Sequence, residues 1–403
     1  MNVDDSIVET LITWKMVEED IQRKYDTKAS TGPRRTATHL GDANGYISKC
    51  ALIKFDWTED REKLPKQGIM KITSCERFQL LTDKIGAYDN VIDQAALFND
   101  CEVNFYETWS SLEVVPEIPV PKYICGRLFG VNGLEAGYCI LEKLENFHNL
   151  HIYHNLSEKA ALDGIKSIAK LTSYSIKYPK NARKLGETDA FDVHFRDFTK
   201  IEKVEKGFEC VLSRFADKEH EIKKIKTILP IFKDIDTFRE TMTKNVKIPL
   251  IVHGDAWPGN FVWTKSLNGE FSVKALLDWQ LLHLGNPCED VVRFLAKGLS
   301  GKEYRQRRDF YLRAFYDDLL KDVEPIQLPW PTLEEFIDEY ERIYPLIFTV
   351  WLPPFLRLVS EEQIKGDGPD ALKRLENFNE KFRGMVDEAV RCIQHRYQAM
   401  KFD

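Results

Sequence analysis

Residues 250–280 read LIVHGDAWPGNFVWTKSLNGEFSVKALLDWQ, and four polar side chains in this stretch stand in a telling order: His253, Asp255, Asn260 and, after a candidate hairpin, Asp278. The hairpin is legible from its turn. Phe261, Val262 and Trp263 open one strand, Asn268-Gly269 is a strong short-range hairpin signal, and residues 271–277 make the return strand. Such a hairpin brings Asp278 back beside Asn260, so two oxygen-bearing side chains far apart in sequence meet at one place.

That meeting suits phosphoryl transfer. Moving the γ-phosphoryl of ATP requires an oriented acceptor hydroxyl and cations held against the phosphate oxygens, with little covalent help from the protein. In the general scheme a loop Asp takes the hydroxyl proton, an Asn shortly after it binds Mg2+, and an Asp beyond the next strands binds Mg2+ across the phosphates. Asp255, with His253 in the same loop, is therefore the catalytic candidate, and Asn260 and Asp278 are the metal candidates. Mg2+ fits so sparse a set because it ordinarily takes few protein oxygens and completes its shell with water and phosphate. Asp and Asn also satisfy backbone groups in ordinary loops, so HxDxxxxN alone is a weak pattern. The second Asp at the end of the hairpin sharpens it.

HGDAWPGN followed by LLDWQ resembles the choline kinase and aminoglycoside phosphotransferase superfamily, most closely its CHK-kinase-like branch, which includes insect ecdysteroid kinases and many nematode relatives. The resemblance runs over most of the chain. It departs from the branch at Ala256, where a bulky residue such as Leu usually follows the loop Asp. What it implies is a two-lobed, protein-kinase-like α+β fold: an N-terminal lobe, residues 1–143, with an antiparallel sheet and a helix for ATP, and a larger, mostly helical lobe, residues 144–403, with the catalytic loop, metal site and acceptor site. ATP and Mg2+ are the implied cofactors, and a small-molecule hydroxyl acceptor is the implied partner.

Composition allows this. A chain of 403 residues with 43% hydrophobic content exceeds the size at which one core usually divides, so two lobes are expected. A net charge of −7 and a pI near 5.8 argue against a nucleic-acid partner, which needs a basic surface. The opening MNVDDSIVET is acidic and lacks the apolar run of a signal peptide. The longest apolar run, 346–356, is too short for a membrane span and contains Pro353 and Pro354, so the expectation is a cytoplasmic protein with no span. The eight cysteines are scattered without a CxxC pair, which reads as reduced thiols serving as small core residues.

Toward the N-terminus, Ile7, Val8, Leu11, Ile12, Val17 and Ile21 predict an amphipathic helix. The text HLGDANGYISKCALIKFDW, from His39, reads as a loop followed by an alternating strand over 46–55. Gly41, Gly45 and Ser48 are the candidate phosphate-facing positions, since glycine lets backbone N–H groups approach phosphate closely. The strand at 68–74, GIMKITS, carries Lys71 between Met70 and Ile72. An ammonium so flanked needs a counter-charge, unless the strand is an edge that points it into water. Over 95–112, Phe98, Cys101, Phe105 and Trp109 recur at helical spacing, and Glu102 falls on that inward stripe while Glu107 points away. Lys71 and Glu102 are thus predicted to pair, like the strand Lys and helix Glu of kinases. EVNFYE also resembles the corresponding helix of the branch.

Residues 137–145, GYCILEKLE, look like the family's hinge, which makes Glu142 and Leu144 candidates for backbone contact with adenine. His148, His151 and His154 tempt a metal assignment, but their spacing suits neither one helical face nor the usual ligand pair, and partly exposed loop histidines are expected. A helix is expected over 156–176, then a charged stretch to about 226 that could shape the acceptor site. Asn286-Pro287-Cys288-Glu289 reads as a helix start, with Asn as N-cap and Glu at N3. Asp290, just inside it, resembles the family residue that braces the catalytic loop. Leu375, Phe378, Phe382, Met385, Ala389 and Ile393 mark one face of a long final helix.

Trp257, Trp263, Trp279, Trp330, Trp351 and Phe355 are a heavy aromatic load for the acceptor side, and favour an apolar, sterol-like or choline-like acceptor over an aminoglycoside. A protein kinase is disfavoured because DWQLLHLGNP follows Asp278 directly, with no DFG or APE segment. The alternative is a catalytically inactive kinase-like binding or scaffold protein. Against it, Lys71, Glu102, Asp255, Asn260 and Asp278 are all present.

Overall fold

The computed structural model describes residues 5–41, 48–59, 62–86, 89–366 and 368–397. The chain divides into two compact units, one made of Met1–Lys84, Tyr88–Glu113 and Pro121–Glu145, the other of Ile85–Ala87, Val114–Val120 and Asn146–Asp403.

The first unit runs α1 (Trp14–Tyr25), β1 (Thr36–His39), β2 (Ser48–Lys54), β3 (Gln67–Ser74), α2 (Cys75–Ile85), α3 (Val91–Ser111), β4 (Tyr123–Arg127) and β5 (Ala136–Leu141). Its strands form one sheet in the order β1-β2-β3-β5-β4, antiparallel throughout. Period-two alternation puts Met70 and Ile72 of β3 into a core with Ala51, Ile53, Tyr138 and Ile140, closed by Val17 and Ile21 of α1. Helix α3 buries Phe98, Cys101, Glu102 and Phe105, the stripe read from the sequence. The N-terminal helix differs from its reading. It starts only at Trp14, because the Thr13 hydroxyl accepts the Met16 amide and ends the preceding segment as a cap. Ile7 and Ile12 are buried ahead of it, in backbone where Val8 and Glu9 take positive φ, so their spacing reports burial and not helix.

The second unit is mostly helical. It opens with β6 (His148–Asn149) and α4 (Glu158–Lys177). Within the lobe expected to be mostly helical, the charged stretch and the residues after it form a helix series: α5 (Pro179–Leu185), α6 (Phe191–Phe198), α7 (Ile201–Arg214), α8 (Glu219–Ile225) and α9 (Ile235–Thr243). Val204, Phe208 and Val211 of α7 form a buried stripe at helical spacing. Then come β7 (Leu250–Val252), β8 (Phe261–Lys265), β9 (Phe271–Leu276) and β10 (His283–Gly285). Strand β8 lies between β6 and β9, and β7 pairs with β10.

The unit closes with α10 (Cys288–Gly298), α11 (Gly301–Leu320), α12 (Leu333–Leu358), α13 (Glu361–Lys365) and α14 (Ala371–Arg396). Every residue of α10 is buried. Gly164 of α4 allows this, since a Cβ there would lie 2.1 Å from the Phe294 ring of α10. The helix starts at Cys288 with Pro287 as its N-cap, one residue later than expected; the Asn286 side chain still accepts the Cys288 amide at 3.1 Å, and Glu289 turns inward to Arg293. All paired strands among the described residues are antiparallel, and helices dominate the rest, so the architecture is α+β. Among the described residues none of the eight cysteines forms a disulfide. No helix of the described residues is long and apolar enough to cross a membrane.

Candidate functional site

Strand β7 delivers the loop His253-Gly254-Asp255. Gly254 has φ +81, and a Cβ there would sit 2.2 Å from the Leu281 carbonyl oxygen, so only glycine fits. His253 is fully buried. Its Nε2 lies 2.9 Å from the Leu277 carbonyl and its Nδ1 accepts the Asp255 amide at 3.3 Å, which assigns the proton to Nε2. Burial lowers its pKa, so the ring is a neutral strut between loop and hairpin. Asp290 is only 1% exposed, and its two oxygens accept the amides of His253 at 2.7 Å and Gly254 at 3.0 Å. It braces the loop from α10.

The Asp255 side chain is 23% exposed, and its two oxygens face different neighbours. Oδ2 accepts Asn260 Nδ2 at 3.0 Å, and the same Nδ2 lies 2.9 Å from the Asp255 carbonyl oxygen. Its nitrogen is so committed, and the other side-chain atom of Asn260 is the carbonyl Oδ1. Oδ1 of Asp255 faces Lys297 Nζ at 3.3 Å and Arg293 at 4.0 Å. Burial alone would raise the Asp255 pKa, but Lys297 and then Arg293 outweigh it and hold the carboxyl below its usual value.

The hairpin does what its position requires. Phe261 is registered with Leu276, and the Leu277 amide donates to the Asn260 carbonyl at 2.9 Å, which extends the pairing one step and sets Asp278 next to Asn260. Asp278 has φ 66 and ψ 62, an uncommon conformation for a residue with a Cβ and one that gathers at functional sites. The turn lies at Asn268-Gly269, as expected. Ser266 pairs with Glu270 around it and Gly269 alone takes positive φ there, the pattern of a three-residue loop.

In the first unit, Lys71 Nζ lies 2.7 Å from Glu102 Oε2, with side-chain exposures of 20% and 5%. Lys71 is registered with Cys50 on one side and Cys139 on the other, so it stands mid-sheet and not at an edge. Gly41 takes φ +83 with no atom within 4 Å of a built Cβ, while Gly45 lies outside the described residues. The Ser48 hydroxyl is buried and 3.2 Å from that of Thr73. Glu142 exchanges backbone and side-chain bonds with Lys122, its amide donating to the Lys122 carbonyl at 2.8 Å. Leu144 follows in the loop, half-buried.

His148 is exposed, and His151 and His154 are half-buried, with the His151 amide on His154 Nδ1 at 2.8 Å. Among the described residues no group of three His, Cys, Asp or Glu side chains is arranged to hold a metal ion. Trp263, Trp279 and Trp330 are core residues at 2% exposure or less. Trp257, Trp351 and Phe355 instead gather around Lys297. Lys297 was not singled out from the sequence. Its signal was there: Glu289, Arg293 and Lys297 recur every four residues, a charged line along a helix whose other residues, Asp290 apart, are apolar or glycine.

Residues 1–397 match the DUF1679 family, described as "Uncharacterized oxidoreductase dhs-27". The chain belongs to that family. A DUF1679 relative, the uncharacterized oxidoreductase dhs-27 of Caenorhabditis elegans, is 21% identical over 316 residues, covering 74% of this chain but only 37% of that protein. The chain thus spans well under half the length of the curated relative it matches. Among solved structures, a Ralstonia eutropha protein assigned provisionally as an aminoglycoside phosphotransferase aligns with TM-score 0.52 at 13% identity, over 95% of this chain and 99% of that one. The GDP complex of an aminoglycoside 2'-phosphotransferase-IIIa variant aligns over 95% and 100% at 11% identity, with TM-score 0.47. At such identities the Ralstonia likeness speaks for fold alone. The fold is the two-lobed, kinase-like α+β fold.

Proposed function

We propose that the chain is a small-molecule kinase that moves the γ-phosphoryl of MgATP to a hydroxyl of a largely apolar, sterol-like or choline-like acceptor, with Asp255 as base. The observation that carries the reading is the oxygen set on the hairpin: Asp255 fixed through Asn260 Nδ2, Asn260 with its side-chain carbonyl oxygen, and Asp278 set beside it. Asn260 and Asp278 would hold Mg2+, which when bound neutralises charge on the phosphate oxygens. Lys71, anchored by Glu102, would meet the nucleotide phosphates. Gly41, Gly45 and Ser48 would lie along them. With the Glu142 amide already committed to Lys122, the Glu142 carbonyl and the Leu144 amide are the groups that would meet adenine.

Asp255 acts chiefly by orientation. A carboxylate whose pKa Lys297 and Arg293 hold down is a weak base, suited to a loose transition state in which the hydroxyl proton leaves late. His253, neutral and buried with both ring nitrogens engaged by backbone, would position the loop without touching substrate. The test is Asp255→Asn, which keeps the shape and removes the charge. Turnover with a true acceptor should fall by about 10²–10⁴-fold while nucleotide affinity stays. Near-normal turnover would falsify the assignment.

The oxidoreductase name attached to the relative does not find its chemistry in these residues. A nicotinamide dinucleotide site of the usual kind needs a parallel βαβ unit with a glycine-rich turn between strand and helix. Every paired strand described here is antiparallel. Residues 366–371, GDGPDA, have the spacing of that turn but follow helix α13 and no strand. Since most of the relative lies outside the match, we assign its oxidoreductase name to that remainder.

A further inference from the structure

Quaternary ammonium alcohols are recognised by aromatic faces, which attract a cation through the ring quadrupole. Beside Asp255 the second unit provides such faces, and they already hold a cation. Lys297 Nζ lies 4.3 Å from the centroid of the Trp351 ring and 5.5 Å from that of Trp257, while bonded to Asp255 Oδ1 at 3.3 Å. Phe355 closes the corner edge-on against both tryptophans, with centroids 6.4 Å from Trp257 and 5.7 Å from Trp351. The Lys297 side chain is 4% exposed, so it is built into the corner and does not sweep through solvent.

Two acids of α10 beside Asp255 are already engaged. Glu289 is committed to Arg293 at 2.8 Å, and Asp290 to the two loop amides. Arg293, 4.0 Å from Asp255, adds a further positive charge. A hydroxyl within hydrogen-bond reach of Asp255, about 2.6–3.2 Å, therefore comes close to a fixed ammonium. A trimethylammonium two carbons away from that hydroxyl would have to share the same aromatic corner.

Resting on the phosphotransferase reading, we infer that Lys297 is a charge-selecting residue: it occupies the cation-binding corner itself, so that the acceptor is a neutral or anionic alcohol with an apolar body, and not a choline-like or aminoglycoside-like cation. This narrows the acceptor class to the sterol-like side.

The experiment compares two ligands of one shape, choline and 3,3-dimethylbutan-1-ol, which replaces the quaternary nitrogen with carbon. Their dissociation constants are measured by NMR titration against the full chain and its Lys297→Met, Lys297→Gln and Lys297→Arg variants. The neutral alcohol should bind the natural chain at least tenfold more tightly than choline. Lys297→Met and Lys297→Gln should shrink that ratio at least fivefold, and Lys297→Arg, which keeps the charge, should preserve it. Choline binding as tightly as its isostere, a ratio indifferent to losing the lysine charge, or no binding of either ligand overturns the inference. Binding needs no turnover. The phosphotransferase reading fails on other grounds, if no alcohol of any charge is phosphorylated from MgATP, so the two failures are distinguishable.

Discussion

Asp278 shows how much one residue can ask of its position. Its left-handed backbone costs of order 1 kcal/mol in a residue with a Cβ, and Asp and Asn bear that cost best. The informative change is therefore Asp278→Asn and not Ala, because it keeps a side chain suited to the conformation and removes the charge a metal ion needs. MgATP affinity should fall at least tenfold, with metal-free ATP affinity changed far less; equal losses in both titrations would remove Asp278 from the metal role. Lys71 and Glu102 make a second residue-scale prediction. Each answers the other's charge in a poorly hydrated place, so losing either weakens the setting of its partner. Lys71→Met and Glu102→Gln should each lower kcat/KM, the double variant should be little worse than the worse single one, and the cycle should return a coupling of about 1–3 kcal/mol. An additive cycle would deny the contact its importance. This pair was legible in the sequence because Met70 and Ile72 make an unanswered ammonium costly and helical spacing turns Glu102 inward. Lys297 was less legible, since its partner is chosen by how α10 packs against the loop, which spacing along one helix does not specify.

Elements are where reading by pattern both worked and failed. The hairpin from Asn260 to Asp278 was readable because its turn and its two strands agree, down to the metal candidates it joins. The segment before Trp14 was not, because buried Ile7 and Ile12 imitate a helical stripe while Thr13 starts the helix later. Helices α5 to α9 were read only as part of a mostly helical lobe and not one by one, because a stripe such as Val204, Phe208 and Val211 is short and set among lysines and glutamates. Helix α14 was recognised by its apolar face, yet its most consequential residue is polar. Lys381 is 1% exposed and donates to the carbonyls of Ile152, His154 and Lys297, each at 2.8 Å. Burial pulls its pKa down to about 7, but three carbonyl acceptors need three hydrogens and a neutral amine has two, so the geometry asks for the ammonium. It ties the end of α10, and with it Lys297, to the loop of His151 and His154. Lys381→Met should cost about 3 kcal/mol or more by leaving buried carbonyls without donors. Urea denaturation would show this as a lower midpoint at unchanged slope, and a midpoint within error of the natural chain would mean that the three bonds contribute nothing net.

Across the whole molecule, buried ionisable groups pull stability in opposite directions as pH falls, a balance no reading of the chain alone could have set, because it depends on which side chains the packing encloses. Burial lowers His151 to about 4 and His194 to about 3. Above their unfolded value near 6.5 both states are neutral and nothing is lost. Below it the unfolded chain takes up protons that the folded chain refuses, and stability declines until pH reaches the folded values. Burial raises Asp290 and Glu388, each to about 7, so between about pH 4 and 7 these keep protons that the unfolded chain has released, and stability grows as pH falls. The natural chain should therefore show a shallow profile between pH 7 and pH 5, the difference of two steep ones. Removing the histidine side of the balance uncovers the other. One pKa unit corresponds to about 1.36 kcal/mol, so His151 alone should forfeit about 2 kcal/mol by pH 5, and His151→Phe, which can keep the 4.5 Å stack on Tyr153, should not forfeit it. Denaturation of both proteins at the two pH values gives the check: the variant's change on acidification should be about 2 kcal/mol more favourable than that of the natural chain. The carboxyl terms cancel in that comparison. Equal changes in the two proteins would mean that His151 is already accessible to protons in the folded state.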